Sequence, residues 1–419
     1  MLTVSRRRLG QMALALPLAS PAAGARRANA ANTVRIGAIY PLSGNAGSAG
    51  QALQKAIEVG VDIVNNAHPD LAALPLGPTA GLPNLGGAKV QVVFADQQGN
   101  PSVAQSDALR LITQDRVNAL VGCYQSSCTL TASAVAERYG IPFVAGESSA
   151  PNLTERGFKW FFRTTPIGSD FGKAYGEFLQ GLAKQGQQVR SVAIVNENTD
   201  YGSSTGDAIA AGLKQHGLSL ALRIPYNANS TDLSAEVLQL KQAGPDTVIF
   251  VSYTSDSIQY VKTMHTLGYK PPVVIGDDSG FSDPAFVKAV GDLAQGAINR
   301  SSFDPGNKGS TSWVVNEMYK KATGRALDDT SARGLNGFLV LCDAINRAGS
   351  TEPAKIQAAL RATNLNADQI MIGYNGVKFG PNGQNELAST LLVQLRGTDW
   401  DVVWPQAKAT AKVELPFKG

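Results

Sequence analysis

From Thr33 onward, short β-branched apolar runs alternate with stretches whose apolar residues recur every three or four positions. "TVRIGAIYPLSG" reads as a strand ending in a Pro/Gly turn, and Ala52, Ile57, Val61 and Val64 of the following segment recur at helical spacing. After a Pro/Gly-rich stretch at 69–87, which reads as an exposed excursion, come the strand "AKVQVVFADQQGNP" and the helix "SVAQSDALRLITQD". "VNALVG", the helical "TLTASAVAERYG" and the strand-like "IPFVAGESSAPN" continue the rhythm. Strand and helix in strict alternation predict a parallel sheet with helices on both faces. The pattern restarts after "KWFFRTTP", with strands in "SVAIVNENTDYG", "LALRIPYNANSTD", "TVIFVSYTSD" and "PPVVIGDDSG". The fold class is therefore α/β, with two Rossmann-like lobes. Residues 304–363 read as mostly helical without strand partners and fit a return to the first lobe.

Composition narrows the picture. Of 419 residues, 43% are hydrophobic and 17% charged, enough for a sizeable core. Lys plus Arg number 37 against 33 Asp plus Glu, but Arg6, Arg7, Arg8, Arg26 and Arg27 crowd the first 27 residues. The remainder is close to neutral, so no nucleic-acid partner is expected. Residues 1–30 combine a basic start, a short apolar run and Ala28-Asn29-Ala30, the pattern of an export signal. "SRRRL" is Tat-like, while Gly10 stands where that motif favours lysine, so Sec export stays open. The apolar run falls short of the ~20 residues of a membrane span. The mature chain is thus expected to start near Ala31 and to be a soluble protein outside the cytoplasm.

Seven strand ends carry polar or Gly-rich turns: "PLSGNAGSAG", "ADQQGNP", "GCYQSSCT", "AGESSAPN", "NENTDYGSS", "SYTSDS" and "GDDSGFS". In open α/β sheets, ligands bind outside the carboxyl ends of the strands. These turns hold hydroxyls, amides and carboxylates but no Lys, Arg or His, which suits hydrogen-bonded recognition better than acid–base chemistry. His68, His216 and His265 lie far from the cysteines, so no zinc set forms. "GESSAPN" lacks nucleophile-elbow spacing, and "GNAGSAG" lacks the lysine of a phosphate loop. Neither a cofactor, a metal nor an enzymatic activity is expected. Cys342 reads as a core residue; Cys123 and Cys128 are either bridged or two packed thiols. Ser126, Ser127 and Thr129 cluster at a helix start, where unsatisfied N–H groups and the dipole favour an anion. One hydroxyl would suffice as a cap; several, with "GESS" ending the next strand, read as a carboxylate cradle.

The run "IGAIYPLSG", followed by "GCYQSSCTLTASAVAERYGIPFVAGESSAPNLTERGFKWFFRTTP" and "VAIVNENTDYGSSTGDAI", closely resembles the periplasmic substrate-binding proteins of branched-chain amino acid ABC transporters. That resemblance narrows the expected location to the periplasm and implies the type I periplasmic binding protein fold: two lobes joined by three crossovers and closing on an amino acid. The implied lobes are 31–164 plus 303–375 and 165–302 plus 376–419. By the same resemblance, Ser126 with Ser127 binds the ligand carboxylate. The next turn reads Glu147-Ser148-Ser149, so Ser149 takes the hydroxyl role and Glu147 replaces a usual small residue. Tyr201 and Tyr253 would contact the ligand from the second lobe, and Asp278, beside Asp277, would pair with its ammonium. Ala49 stands where an aromatic often follows the first turn, which implies a larger pocket for a bulky, apolar side chain. The implied partners are an amino acid or related small carboxylate and a membrane ABC permease, for a monomeric binding protein. A ligand-sensing module of the same fold, or a binder of aromatic acids or amides, is the alternative.

Overall fold

The computed structural model describes residues 33–189, 191–277 and 279–419. The export-signal reading of residues 1–30 and the assignment of Asp278 lie outside the described residues. In chain order come β1 (Thr33–Tyr40), α1 (Gly47–Asn65), β2 (Lys89–Asp96), α2 (Pro101–Thr113), β3 (Ala119–Gly122), α3 (Ser126–Tyr139), β4 (Phe143–Ala145) and β5 (Phe161–Arg163). They are followed by α4 (Gly168–Lys184), β6 (Ser191–Glu197), α5 (Asp200–Gln215), β7 (Ser219–Tyr226), α6 (Ser234–Ala243), β8 (Thr247–Val251), α7 (Thr254–Thr266), β9 (Val273–Gly276), α8 (Ser279–Ser282), α9 (Pro284–Val290) and β10 (Ile298–Ser301). The last elements are α10 (Thr311–Thr323), α11 (Asp329–Ala348), α12 (Pro353–Arg361), β11 (Asn364–Asn366), β12 (Gly376–Lys378), β13 (Leu391–Arg396) and β14 (Asp399–Trp404).

The first sheet is five-stranded, in the order β2-β1-β3-β4-β5, and each pairing is parallel. Its central strands are buried from end to end, as in "ALVG" and "FVA", which is why they read as continuous apolar runs rather than alternating ones. The second sheet runs β14-β13-β10-β9-β8-β6-β7. Its β7 to β10 side is parallel, and an antiparallel hairpin of β13 and β14 joins at β10. The periodicity reading did not assign that hairpin. Its turn contains Gly397 at φ 62°, a left-handed conformation that glycine adopts freely.

Two expectations change at the edges of the first lobe. Residues 69–87 are not an exposed excursion: Leu71, Leu74, Leu76 and Leu82 are buried in the core shared with α1 and α11, while the Pro and Gly residues supply the turns between them. Residues 376–385, grouped with the second lobe from sequence, instead lie on the edge of the first. There β12 pairs with β11, Arg163 bridges to Gln384, and the Asn385 N–H donates to the Arg163 carbonyl at 2.9 Å. An edge strand leaves a row of unpaired backbone groups, and this return segment supplies partners for β5. As read from sequence, 304–363 is mainly helical; α10 and α11 pack on α1, and the Tyr319 hydroxyl donates to the Ala52 carbonyl at 3.3 Å.

The three crossovers between the sheets are bonded to one another. Gln384 Nε2 donates to the Thr165 carbonyl at 2.8 Å, and Asn385 Nδ2 to the Thr164 carbonyl at 3.1 Å, linking the third to the first. Ser302 Oγ, in the second, donates to the Ser389 carbonyl of the third at 3.4 Å. At the start of α11, Arg333 Nε pairs with Asp329 at 2.8 Å, and both side chains are almost wholly buried. Asp329 also accepts from Ser301 Oγ at 3.0 Å, and an Arg333 terminal nitrogen donates to Thr165 Oγ1 at 3.1 Å.

Candidate functional site

The rim of the first lobe is built from the turns after β3 and β4. α3 begins at Ser126, and the side chain of Gln125 at its N-cap accepts from Gln97 Nε2 at 2.6 Å instead of capping the helix, so the first-turn N–H groups keep their dipole end without a side-chain cap. Ser126 is buried, and its Oγ accepts from the Ala150 N–H at 3.3 Å. Ser148 serves as a tie between the two turns: its hydroxyl lies 2.6 Å from Thr129 Oγ1 and donates to the Tyr124 carbonyl at 3.0 Å. Thr129 Oγ1 in turn accepts from the Cys123 N–H at 3.0 Å. Ser149 is buried as well, and its hydroxyl has no hydrogen bond among the described residues, while Ser127 lines a cavity. Cys123 and Cys128 are both free thiols, so the bridged alternative does not occur. Cys128 Sγ donates to Gln97 Oε1 at 3.0 Å, and burial pushes its thiol up to about 12.

Glu147 turns inward. Its Oε1 accepts from the Tyr40 hydroxyl at 3.0 Å, and its carbonyl accepts from Arg333 at 2.9 Å. Oε2 is buried with no partner in hydrogen-bonding geometry, although the backbone N–H groups of Gly146 and Glu147 lie near enough to ease ionisation. Desolvation nevertheless pushes the carboxyl up to about 7, with the Tyr40 hydrogen bond and the Arg333 charge opposing the shift.

On the second lobe, Tyr201 is buried near the start of α5, and its hydroxyl donates to Asp277 Oδ2 at 2.9 Å and to the Asp277 carbonyl. Asp277 also accepts from the Tyr175 hydroxyl and, at 3.1 Å, from Arg300 Nε. The Arg300 guanidinium lies over the Phe171 ring, 3.7 Å from its centroid. The hydroxyl of Tyr201 is thus engaged within the lobe, and only its ring is turned toward neighbouring aromatics. Sequence reasoning missed Tyr175, Phe171 and Arg300: two sit inside a helix and one inside a strand, without any turn signal.

The lobes meet through tyrosines. Tyr253, at the N-cap of α7, packs its ring 5.6 Å from that of Tyr124 in the first lobe and 5.2 Å from that of Tyr201. Tyr124 has φ 76°, uncommon for a non-glycine residue. Strain of this kind persists where the surroundings over-determine it and clusters at ligand sites. Beside these rings lies a cavity of about 270 Å³, lined by Asn45, Gln98, Gln125 and Ser127 from one lobe and Thr199, Asn229 and Tyr253 from the other. A larger groove of about 760 Å³ between α9, residues 325–329 and the β13–β14 hairpin contains none of the residues singled out from sequence. Among the described residues, no group of three or more His, Cys, Asp or Glu could hold a metal ion.

A family model described as "Periplasmic binding protein" matches residues 33–399. The chain is 30% identical over 421 residues to "Leu/Ile/Val-binding protein homolog 7" of Brucella suis biovar 1 (strain 1330), covering 96% of this chain and 98% of that protein. Among solved structures, the branched-chain amino acid transporter substrate binding protein LivJ of Streptococcus pneumoniae, in complex with isoleucine, superposes with a TM-score of 0.75 at 20% identity. That likeness covers 92% of this chain and 100% of LivJ. A solute binding protein of an ABC transporter from Rhodopseudomonas palustris BisB5, in complex with 3,4-dihydroxy benzoic acid, gives a TM-score of 0.72 at 18% identity, covering 88% and 95%. Both solved structures share the fold.

Proposed function

The chain belongs to the periplasmic binding protein family, and from that premise we propose that it captures an amino acid or related small carboxylate between its lobes and delivers it to a membrane ABC permease. Members of this family are solute-binding proteins rather than enzymes, and they act outside the cytoplasm. No described helix is long and apolar enough to cross a membrane.

One observation carries the reading. The uncapped start of α3 lines the inter-lobe cavity through Gln125 and Ser127, opposite second-lobe residues Thr199 and Tyr253, while Ser126 and Ser149 are buried next to it and do not themselves line it. In our assignment, Ser126, Ser127 and Ser149 receive the ligand carboxylate together with the first-turn N–H groups, and Ser148 holds their two turns in register. The rings of Tyr201 and Tyr253 wall the cleft, and Asp278 takes the ammonium. A zwitterion divided between the lobes in this way satisfies both charges only when they close, which couples binding to hinge motion. We place the lobe boundary near the end of the third crossover rather than at 376, and take the working form to be a monomer that does not bind nucleic acid.

The cluster of Tyr124, Tyr201 and Tyr253 favours a second reading, an aromatic acid stacked between rings. A thermal-shift screen of amino acids, amides and aromatic acids separates the two. A ligand at a hundred times its Kd raises stability by about 2.7 kcal/mol, a clear rise in Tm. If only acids without an amine stabilise the protein, the ammonium role of Asp278 fails.

A further inference from the structure

The second carboxylate oxygen of Glu147, Oε2, is buried without a partner in hydrogen-bonding geometry. A buried polar atom without a partner is rare in a folded protein, and a carboxylate in that position is more costly than a neutral group. The geometry around it narrows what could complete it. A Cβ at Gly334 would stand 2.4 Å from both Glu147 Oε1 and Leu53 Cδ2, so α11 passes tightly here and the carboxyl lies against Leu53 of α1. Ala49 lies one helical turn before Leu53 on the same face of α1. The helix face that carries Ala49 and Leu53 is therefore the one next to which the Glu147 carboxyl lies. Glu147 is also followed directly by Ser148, which ties the two turns of the proposed carboxylate cradle, and by Ser149, which belongs to it.

We propose that the ligand is an amino acid whose side chain ends in a cation, and that Glu147 receives that cation beside Ala49 from within the first lobe. This rests on the cleft reading above and replaces the bulky apolar side chain expected from sequence. The titratable and charged groups facing Glu147 are Tyr40 on β1, Cys123 in the turn after β3, and Arg333 on α11. Tyr40 bonds the other oxygen, burial pushes the Cys123 thiol up so that it stays neutral, and Arg333 is paired with Asp329. The half-neutral state of the empty carboxyl near about pH 7 means that a bound cation drives its ionisation and releases a proton.

Titration calorimetry with lysine, arginine and leucine on the wild-type protein, Glu147→Gln and Ser126→Ala tests the proposal. A basic amino acid should bind the wild-type protein about ten-fold or more tightly than leucine. Glu147→Gln, nearly isosteric, should lose that preference while binding leucine at least as well. Affinity for the basic ligand should rise as pH passes through about 7 in the wild-type protein and stay flat in Glu147→Gln. Leucine binding tightest in the wild-type protein, no binding by either basic amino acid, or a preference unmoved in Glu147→Gln overturns the proposal. Ser126→Ala reports on the cradle separately: it should weaken all three ligands whatever Glu147 does, and unchanged binding there sinks the cleft reading instead.

Discussion

Ser48 Oγ, on α1 of the first lobe, donates a 3.0 Å hydrogen bond to Asp283 Oδ1 of the second. Asp283 is also the N-cap of α9, accepting from the Ala285 N–H at 2.8 Å, and its other oxygen accepts from Thr254 Oγ1 at 3.0 Å. The acceptor is thus fixed by its own lobe, so that closure brings only one mobile partner to it. Ser48→Ala should weaken ligand binding by about 1 kcal/mol, roughly five-fold, mainly through faster release. Stopped-flow dissociation measures it, and a changed association rate with unchanged release would count against a closure contact.

Ser126→Ala and Ser149→Ala should each reduce ligand affinity about ten-fold or more while moving Tm little, because neither hydroxyl carries more than one weak bond inside the protein. Ser148→Ala should behave oppositely, lowering Tm as well, since its hydroxyl joins Thr129 to the Tyr124 carbonyl. Calorimetric titration and thermal melting on the same three variants compare the two patterns.

Arg300→Met should destabilise the second lobe by about 3–5 kcal/mol, because it leaves the buried Asp277 carboxylate without its cation. Adding Asp277→Asn should restore much of the loss, since the remaining tyrosine hydroxyls can bond a neutral amide. Urea unfolding of the single and double variants gives the answer; a double variant no better than the single would show that packing on Phe171 dominates.

The Glu147 carboxyl, raised from 4.5 to about 7, binds its proton more tightly in the folded chain than in the unfolded one. Its effect on stability is therefore most favourable below the unfolded value and is lost as pH rises toward and past about 7. In the ligand-free protein that loss amounts to about 3 kcal/mol. Glu147→Gln should accordingly raise Tm on the alkaline side and leave it nearly unchanged in acid, as melting curves across pH would show. A residue that destabilises the empty protein is what a ligand contact retained against stability looks like.

Gly146→Ala should lower stability by several kcal/mol, because its Cβ would stand 2.7 Å from the Arg333 carbonyl and 3.0 Å from the Gly334 Cα. Backbone cannot yield as a side-chain tip can, so α11 would be pushed off β4. Chemical denaturation checks the size, and a change below 1 kcal/mol would mean that the helix shifts without resistance.

Much of this architecture was legible from periodicity. The buried parallel strands read as apolar runs, and their polar turns marked the rim where Ser126, Ser149 and Tyr253 lie. What escaped depended on long-range pairing. Tyr175 and Arg300 converge on Asp277 from α4 and β10, and each looks like an ordinary helix or strand residue in its own segment. The leucines at 71, 74, 76 and 82 were hidden by the Pro and Gly between them, which signal turns but say nothing about burial. The cysteines drew attention by proximity, yet Cys128 finds its partner in Gln97, a strand away. Glu147 was visible as a departure from a small residue, but only packing shows that one of its oxygens is buried without a partner in hydrogen-bonding geometry.

The Asp329–Arg333 pair touches the first crossover through Thr165, the second through Ser301, and the turn that holds Glu147 through its carbonyl. A joint pinned in this way has few independent ways to bend. Closure of the lobes about such a joint would follow one axis, so that a small shift where solute is gripped would appear, multiplied by lever length, at the far tips where a membrane partner would read it.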